Sequence, residues 1–222
     1  YMHDTTDMLA DYLAAWKNIG VEIDAVYSGF LGAPEQVDRI RDLYAMYPNA
    51  LRVVDPVMAD HGKVYPTYTP ELCSAMAELA CGADILTPNL TEAAIILGEP
   101  IGEDWGGTDI SDEEAHRLVD ALVAKGAKHV VLKGIQREGE TCIRNFVGGV
   151  DAETVEVHNE YLPYMLHGTG DLYASCLMAA VMAGRSLQEA VAFAGDFVHD
   201  AMIVSAQQPE FRDRGVSFEP LL

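Results

Sequence analysis

Residues 51–98 read LRVVDPVMADHGKVYPTYTPELCSAMAELACGADILTPNLTEAAIILG, and their punctuation decides the fold. Residues 51–55, LRVVD, form a short apolar run that reads as a buried strand. Pro70 suits a first helical position, and Leu72, Met76 and Leu79 follow at helical spacing. Residues 83–89, ADILTPN, bring a third strand of the chain to a stop at Pro88. Residues 91–98, TEAAIILG, then make a short helix ending at Gly98. Strand, helix, strand, helix in one run predicts parallel pairing with crossover helices.

The same alternation extends outward. Upstream, Asp4-Thr5-Thr6-Asp7 opens a helix whose Met8, Leu9, Tyr12, Leu13, Trp16 and Ile19 share one face. Residues 24–29, DAVYSG, read as a strand stopped by Gly29. Pro34 then starts a helix bearing Val37, Ile40, Leu43, Tyr44 and Tyr47. Downstream lies an acidic, Gly-rich loop, residues 99–109. Ser111 and Glu114 follow as a capping box for a helix carrying Leu118, Val119, Leu122 and Val123. Residues 129–134, HVVLKG, are a fourth buried strand. Residues 141–149 and 154–159 form a β-rich pair joined by a turn, the pattern of a hairpin. A helix from about Asp171 to Ala183 comes next, stopped by Gly184. Ser186 and Glu189 cap a last long helix that runs to about Ser205, and the tail RDRGVSFEPLL is irregular. The expectation is one α/β domain over residues 1–222, a mostly parallel sheet covered on both faces.

Composition narrows the function. Half of the 222 residues are hydrophobic, so the chain can bury a core. The formal net charge of −21 repels phosphate backbones and argues against nucleic-acid binding. Any anion site must therefore be built locally. No apolar run reaches the ~18 residues of a membrane span. The four cysteines, Cys73, Cys81, Cys142 and Cys176, show no CxxC pair and no metal-ligand spacing. They read as reduced, packed thiols of a cytoplasmic protein. No signal peptide is visible, although the sequence opens on Tyr1. A P-loop, a dinucleotide fingerprint, an HExxH zinc site and a nucleophile elbow are all absent.

Ligands of open α/β sheets lie beyond the C-terminal ends of the strands. Those ends offer Gly29, Asp55 with Asp60, Thr87-Pro88-Asn89 with Glu92, Lys133-Gly134, and His167-Gly168-Thr169-Gly170-Asp171. Carboxylates, amides, one lysine and a glycine turn are the inventory of a magnesium-nucleotide site. GTGD is the sharpest signal. Its glycines let the backbone approach a ligand, and the helix it opens presents free N–H groups and a positive dipole end. Such a terminus can hold the oxygens of a transferring phosphoryl group. Asp171, in the first turn, can accept a substrate hydroxyl's proton. The same residues also suit an ordinary glycine turn with a helix-capping aspartate. Asp55 and Asp60 can reach a hydrated cation, and Asn89 and Glu92 can fix magnesium through water. A first-turn Glu92 is equally what a helix dipole favours. Lys133 is a candidate phosphate partner or a snorkelling lysine.

The ordered set VDPVMADHGKVY, DILTPNLTEA, VVLKG and HGTGDLYASCL resembles the ribokinase-like superfamily and, within it, the pyridoxal/pyridoxamine kinases. The resemblance runs from about Asp24 to the RGVSFE tail. It implies a three-layer α/β/α fold, ATP and Mg2+ as cofactors, a vitamin B6 vitamer as substrate and a homodimer. It also implies Asp171 as catalytic base and Gly168, Thr169 and Gly170 as anion hole. Asp60, Thr87, Asn89, Lys133 and Gly134 would then lie by the nucleotide, and Glu92, Asp60 and Asp55 by the metal. Phe30, in SGFLG, resembles an aromatic near the pyridine ring. Two departures stand out. Ala59 replaces the usual glycine of a VMGD string, which raises a question about the loop's backbone angles. The family's opening strand, with contacts to the ring, would precede Tyr1, so the resemblance implies a region upstream. The nearest relative in motif, hydroxymethylpyrimidine kinase, shares DPVM, TPN-x-x-E and HGTG but typically has Cys at the position of Asp171. A ligand-binding protein on the same fold is the alternative outside enzymes.

Overall fold

The computed structural model describes residues 3–100 and 110–222. Most of the acidic loop expected over 99–109, Trp105 included, lies outside the described residues. Four short strands are parallel neighbours: β1 (Ala25–Ser28), β2 (Leu51–Val54), β5 (Ile85–Leu86) and β6 (His129–Ile135). The chain then turns back. β7 (Cys142–Gly149) pairs antiparallel with β6, and β8 (Ala152–Glu160) antiparallel with β7. The resulting sheet has the order β1-β2-β5-β6-β7-β8. The hairpin expected after residue 141 is therefore present and extends the parallel sheet.

Each central strand is apolar on both faces because both faces are covered. Val54, Leu86, Val130, Leu132 and Phe146 point into one core layer, with Val37 of α2 (Pro34–Met46), Leu72 and Met76 of α3 (Pro70–Ala80), Ile96 of α4 (Leu90–Leu97) and Leu118 and Leu122 of α5 (Asp112–Ala124). The alternate residues Val53, Ile85, Val131 and Val147 point the other way, onto Leu177 of α6 (Thr169–Met182) and Val191 and Ala194 of α7 (Leu187–Ala206). The period of two along the strands thus divides the interior into two layers.

The structure departs from the sequence expectation at several points. A two-stranded ribbon, β3 (Ala59–Asp60) with β4 (Lys63–Val64), interrupts the stretch after β2. Its turn places His61 and Gly62 at positive φ, 47° and 74°. Ala59 itself sits in the ribbon, fully buried and outside the left-handed region, so its methyl strains nothing. The first helix, α1 (Thr6–Ile19), has its apolar stripe but buries no residue. It lies beside α2, Leu13 packs partly on the core, and Met8, Tyr12, Trp16 and Ile19 remain exposed. Ser111 caps α5 by accepting from the Glu114 N–H at 3.2 Å. The box is half-made, because the Glu114 carboxylate turns to Arg117. The tail is less irregular than expected, with a turn of helix α8 (Phe211–Arg214).

Candidate active site

Parallel pairing brings the ends of β1, β2, β5 and β6 to one edge. The ladder runs on past the strands: Asp55 N donates to Ser28 O at 2.9 Å, Thr87 N to Val54 O at 3.0 Å and Lys133 N to Pro88 O at 2.9 Å. Asp55, Thr87 and Lys133 are thereby held in a row. Lys133 Nζ meets Asp55 Oδ1 at 2.5 Å, and the Asp55 side chain is fully buried. Burial alone would lower the lysine's pKa, yet the carboxylates of Asp55 and Glu92 hold it above the ordinary value. A cation is thus fixed at the rim of a strongly acidic protein. Asp55 Oδ2 and the Thr87 hydroxyl, both buried, have no hydrogen-bond partner among the described residues.

Asn89 and Glu92 form a complete capping box on α4. Asn89 Oδ1 accepts from Glu92 N at 2.9 Å, and Glu92 Oε2 accepts from Asn89 N at 2.8 Å. Each also reaches across to the segment after β2. Glu92 Oε1 accepts from Met58 N at 3.3 Å, and Asn89 Nδ2 donates to Ala59 O at 2.8 Å. Thr91 joins them, its hydroxyl accepting from Gly62 N at 2.9 Å. TPNLTE therefore fastens VMADHG to the head of α4. The Glu92 carboxyl is pushed up to about 8, chiefly by burial, with the Lys133 charge opposing and the Asp55 charge adding.

On the far side of the rim, Gly168 takes φ 87° at the head of α6. The first intrahelical bond of α6 is Leu172 N to Gly168 O at 3.0 Å, so the N–H groups of the preceding turn open outward. A Cβ on Gly170 would meet nothing within 4 Å, which leaves room there for a ligand. The Thr169 hydroxyl donates to Leu166 O at 3.2 Å and so braces the turn. Asp171 is exposed in the first turn.

A cavity of about 910 Å3 joins these parts, lined by Asp55, Asp60, Asn89, Glu92, Lys133, Gly134 and all four residues of GTGD. The phosphomethylpyrimidine kinase family model matches residues 5–213, across every one of these groups. The chain belongs to that family. A Haemophilus influenzae hydroxymethylpyrimidine/phosphomethylpyrimidine kinase is 33% identical over 196 residues, covering 86% of this chain and 68% of that protein. A pyridoxal kinase of Pasteurella multocida is 31% identical over 209 residues, covering 85% of this chain and 65% of that one. The chain thus spans about two thirds of the length of these relatives. Among solved structures, a Bacteroides thetaiotaomicron protein described as a phosphomethylpyrimidine kinase, crystallised with pyridoxal, superposes with a TM-score of 0.89. It is 30% identical, with 99% of this chain and 76% of that one covered. The Staphylococcus aureus pyridoxal kinase in complex with AMP-PCP and pyridoxal superposes at 0.72, with 27% identity and 91% and 71% covered. The ribokinase-like fold expected from the motifs is therefore the fold found.

The residues singled out from the sequence are placed differently around this cavity. Asp55, Asp60 and Glu92 line the same cavity, but among the described residues no three His, Cys, Asp or Glu side chains form a group able to hold a metal. Glu92 is turned to backbone N–H groups, and Asp60 Oδ1 accepts from its neighbour His61 N at 2.8 Å. Thr87 lies behind the cavity wall, fully buried. Phe30 is half-exposed and packs edge-on against Tyr68, with ring centroids 5.6 Å apart, away from the cavity lining.

Other wall residues escaped the sequence reading. Tyr65, from the segment after the β3–β4 ribbon, lines the cavity. Asn145 and Asn159 line it as well, although both are almost fully buried. Their signal was present, since each occupies an apolar phase of its strand, beside Val147 and Val157. The C-terminal tail also reaches the site. Val216 N donates to His167 O at 3.0 Å, and Ser217 N to Ser205 Oγ at 2.8 Å, which straps the tail over the GTGD turn.

Proposed function

We propose that the protein transfers the γ-phosphoryl group of ATP to the 5′-hydroxymethyl group of a B6 vitamer: pyridoxal, pyridoxamine or pyridoxine. The observation that carries this reading is Asp171, an exposed carboxylate in the first turn of α6, at the wall of a cavity that also holds Lys133. The pyridoxal in a 30% identical relative and the AMP-PCP and pyridoxal in a 27% identical one support the two substrates.

The chemistry follows from the groups in place. The vitamer's hydroxyl donates a hydrogen bond to Asp171. As the new O–P bond forms and the bond to the leaving ADP oxygen breaks, the hydroxyl proton passes to the carboxylate. The open N–H groups of residues 168–170 hold the oxygens of the phosphoryl group in transit, aided by the positive end of α6. Lys133 offsets the negative charge of the phosphates. Protein ligands for a hard divalent cation such as Mg2+ are few: Asp55 presents an unpartnered carboxylate oxygen, Asp60 lies on the same wall, and Glu92 is taken up by backbone N–H groups. With so few ready ligands, water and phosphate oxygens would complete the shell, as is usual for Mg2+. Such an ion supplies charge neutralisation to the phosphates.

A second reading is supported by the family model and the 33% identical relative: phosphorylation of hydroxymethylpyrimidine. ATP turnover with each of the three vitamers and with hydroxymethylpyrimidine separates the two. We expect kcat/KM to be highest for a vitamer. Preference for the pyrimidine would overturn the assignment, and turnover of none of the four would point to a binding protein on this fold.

A further inference from the structure

The rim depends on a defect in β6. Phe146 pairs with Leu132 and Arg144 with Ile135, so Lys133 and Gly134 together stand opposite Asn145 alone. This bulge sits where Gly134 adopts φ 79°, a conformation suited to glycine. A bulge breaks the ladder and leaves a backbone N–H to be satisfied. Here Asn145 supplies the acceptor, its Oδ1 taking the Gly134 N–H at 3.1 Å. The chain of donors continues inward. Asn145 Nδ2 donates to Asn159 Oδ1 at 3.2 Å. Asn159 Nδ2 in turn donates to Ala192 O at 3.1 Å and Asp196 Oδ1 at 3.0 Å on α7. Asn145 and Asn159 are 2% and 6% exposed, so these bonds form largely out of water. Gly195 makes the last link possible, because a Cβ there would fall on the Asn159 amide.

From this geometry we propose that Asn145, Asn159 and Gly195 form a positioning relay. It ties the Lys133–Gly134 bulge to α7 and so sets the nucleotide-side wall of the cavity. The relay rests on the kinase reading for its purpose but not for its measurement. Its polarity is fixed: each amide accepts on the side of Gly134 and donates toward α7. An aspartate at 145 keeps the acceptor for Gly134 but cannot donate onward. An aspartate at 159 would face Asp196 with a second carboxylate.

The test is calorimetric binding of AMP-PCP with excess Mg2+ to Asn145→Ala, Gly195→Ala and the double variant, with melting temperatures recorded. Each single variant is expected to weaken AMP-PCP about three- to tenfold, the worth of one net hydrogen bond. The double is expected to be no weaker than the worse single, because both cut one chain. KM for the alcohol should stay within twofold. Should Gly195→Ala fail to fold, Asn159→Ala, which removes the amide without a clash, takes its place. Unchanged AMP-PCP affinity in folded variants, or losses that multiply in the double, overturns the relay. A wild type that binds AMP-PCP yet turns over none of the alcohols would instead strike the proposed function and leave the relay standing.

Discussion

Asp171 and Glu92 show how two carboxylates serve different ends at a shared rim. Both are acidic residues in the first turn of a helix. Glu92 is buried, raised in pKa and bonded to two backbone N–H groups, so its work is to hold loops together. Asp171 is exposed beside a glycine turn and free to meet a substrate. On the proposed mechanism, Asp171→Asn keeps the shape but removes the proton acceptor. It should fold and bind nucleotide normally while kcat falls on the order of 10²–10⁴-fold, the usual worth of a general base. Steady-state kinetics beside AMP-PCP calorimetry would check this, and activity within a few-fold of wild type would return Asp171 to a capping role. Asn89, three residues before Glu92, marks its capping box locally, but nothing local marks its reach to Met58. What differs is the segment each helix meets, and that is set by the fold.

At the scale of elements, α4 and the β3–β4 ribbon behave as one unit. The ribbon pairs two residues with two, far too little to stand alone in water. Its anchors are the bonds from Asn89 to Ala59 O and from Met58 and Gly62 to Glu92 and Thr91. Asn89→Ala should cost ~1–3 kcal/mol, combining a lost N-cap with a lost hydrogen bond. Urea unfolding would measure that loss. Limited proteolysis of the folded variant should show new cleavage between residues 58 and 65, and a protected ribbon would mean that other contacts hold it. The complete box at Ser186 and Glu189 of α7 was legible because a capping box is a local pattern. Ser111 and Glu114 share that pattern, but Arg117, one turn on, draws the Glu114 carboxylate away.

Across the whole molecule, charge and topology set behaviour together. A net charge of −21 means self-repulsion, which salt screens. The melting temperature should therefore rise with NaCl, by ~2–4 °C for each kcal/mol of repulsion relieved in a chain of this size. A flat response in scanning calorimetry would contradict this. Asp84 joins three strands at the end of the sheet opposite the site, accepting from Arg52 N at 2.8 Å and pairing with Lys128 at 2.6 Å. Burial pushes its carboxyl up, but Lys128 and the Arg52 N–H outweigh it and hold the pKa below the usual value of 3.8. A depressed carboxylate stabilises the fold above its unfolded pKa and loses that stabilisation as pH falls through the folded value. Asp84→Asn should thus lower the urea midpoint at pH 7 and flatten its decline below about pH 4, as a titration from pH 2 to pH 7 would reveal. The alternation of apolar strands with capped helices, the parallel sheet and the rim residues at strand ends were legible in the sequence, because periodicity, caps and glycine turns act over a few neighbouring residues. Partnerships across the chain were not. The exposure of the α1 stripe, the turning of Glu92 to Met58 and the Asn145–Asn159 relay join residues from 14 to 34 positions apart or depend on what a neighbouring element covers. Such contacts exist only once burial has brought distant segments together, so the tertiary structure alone decided them.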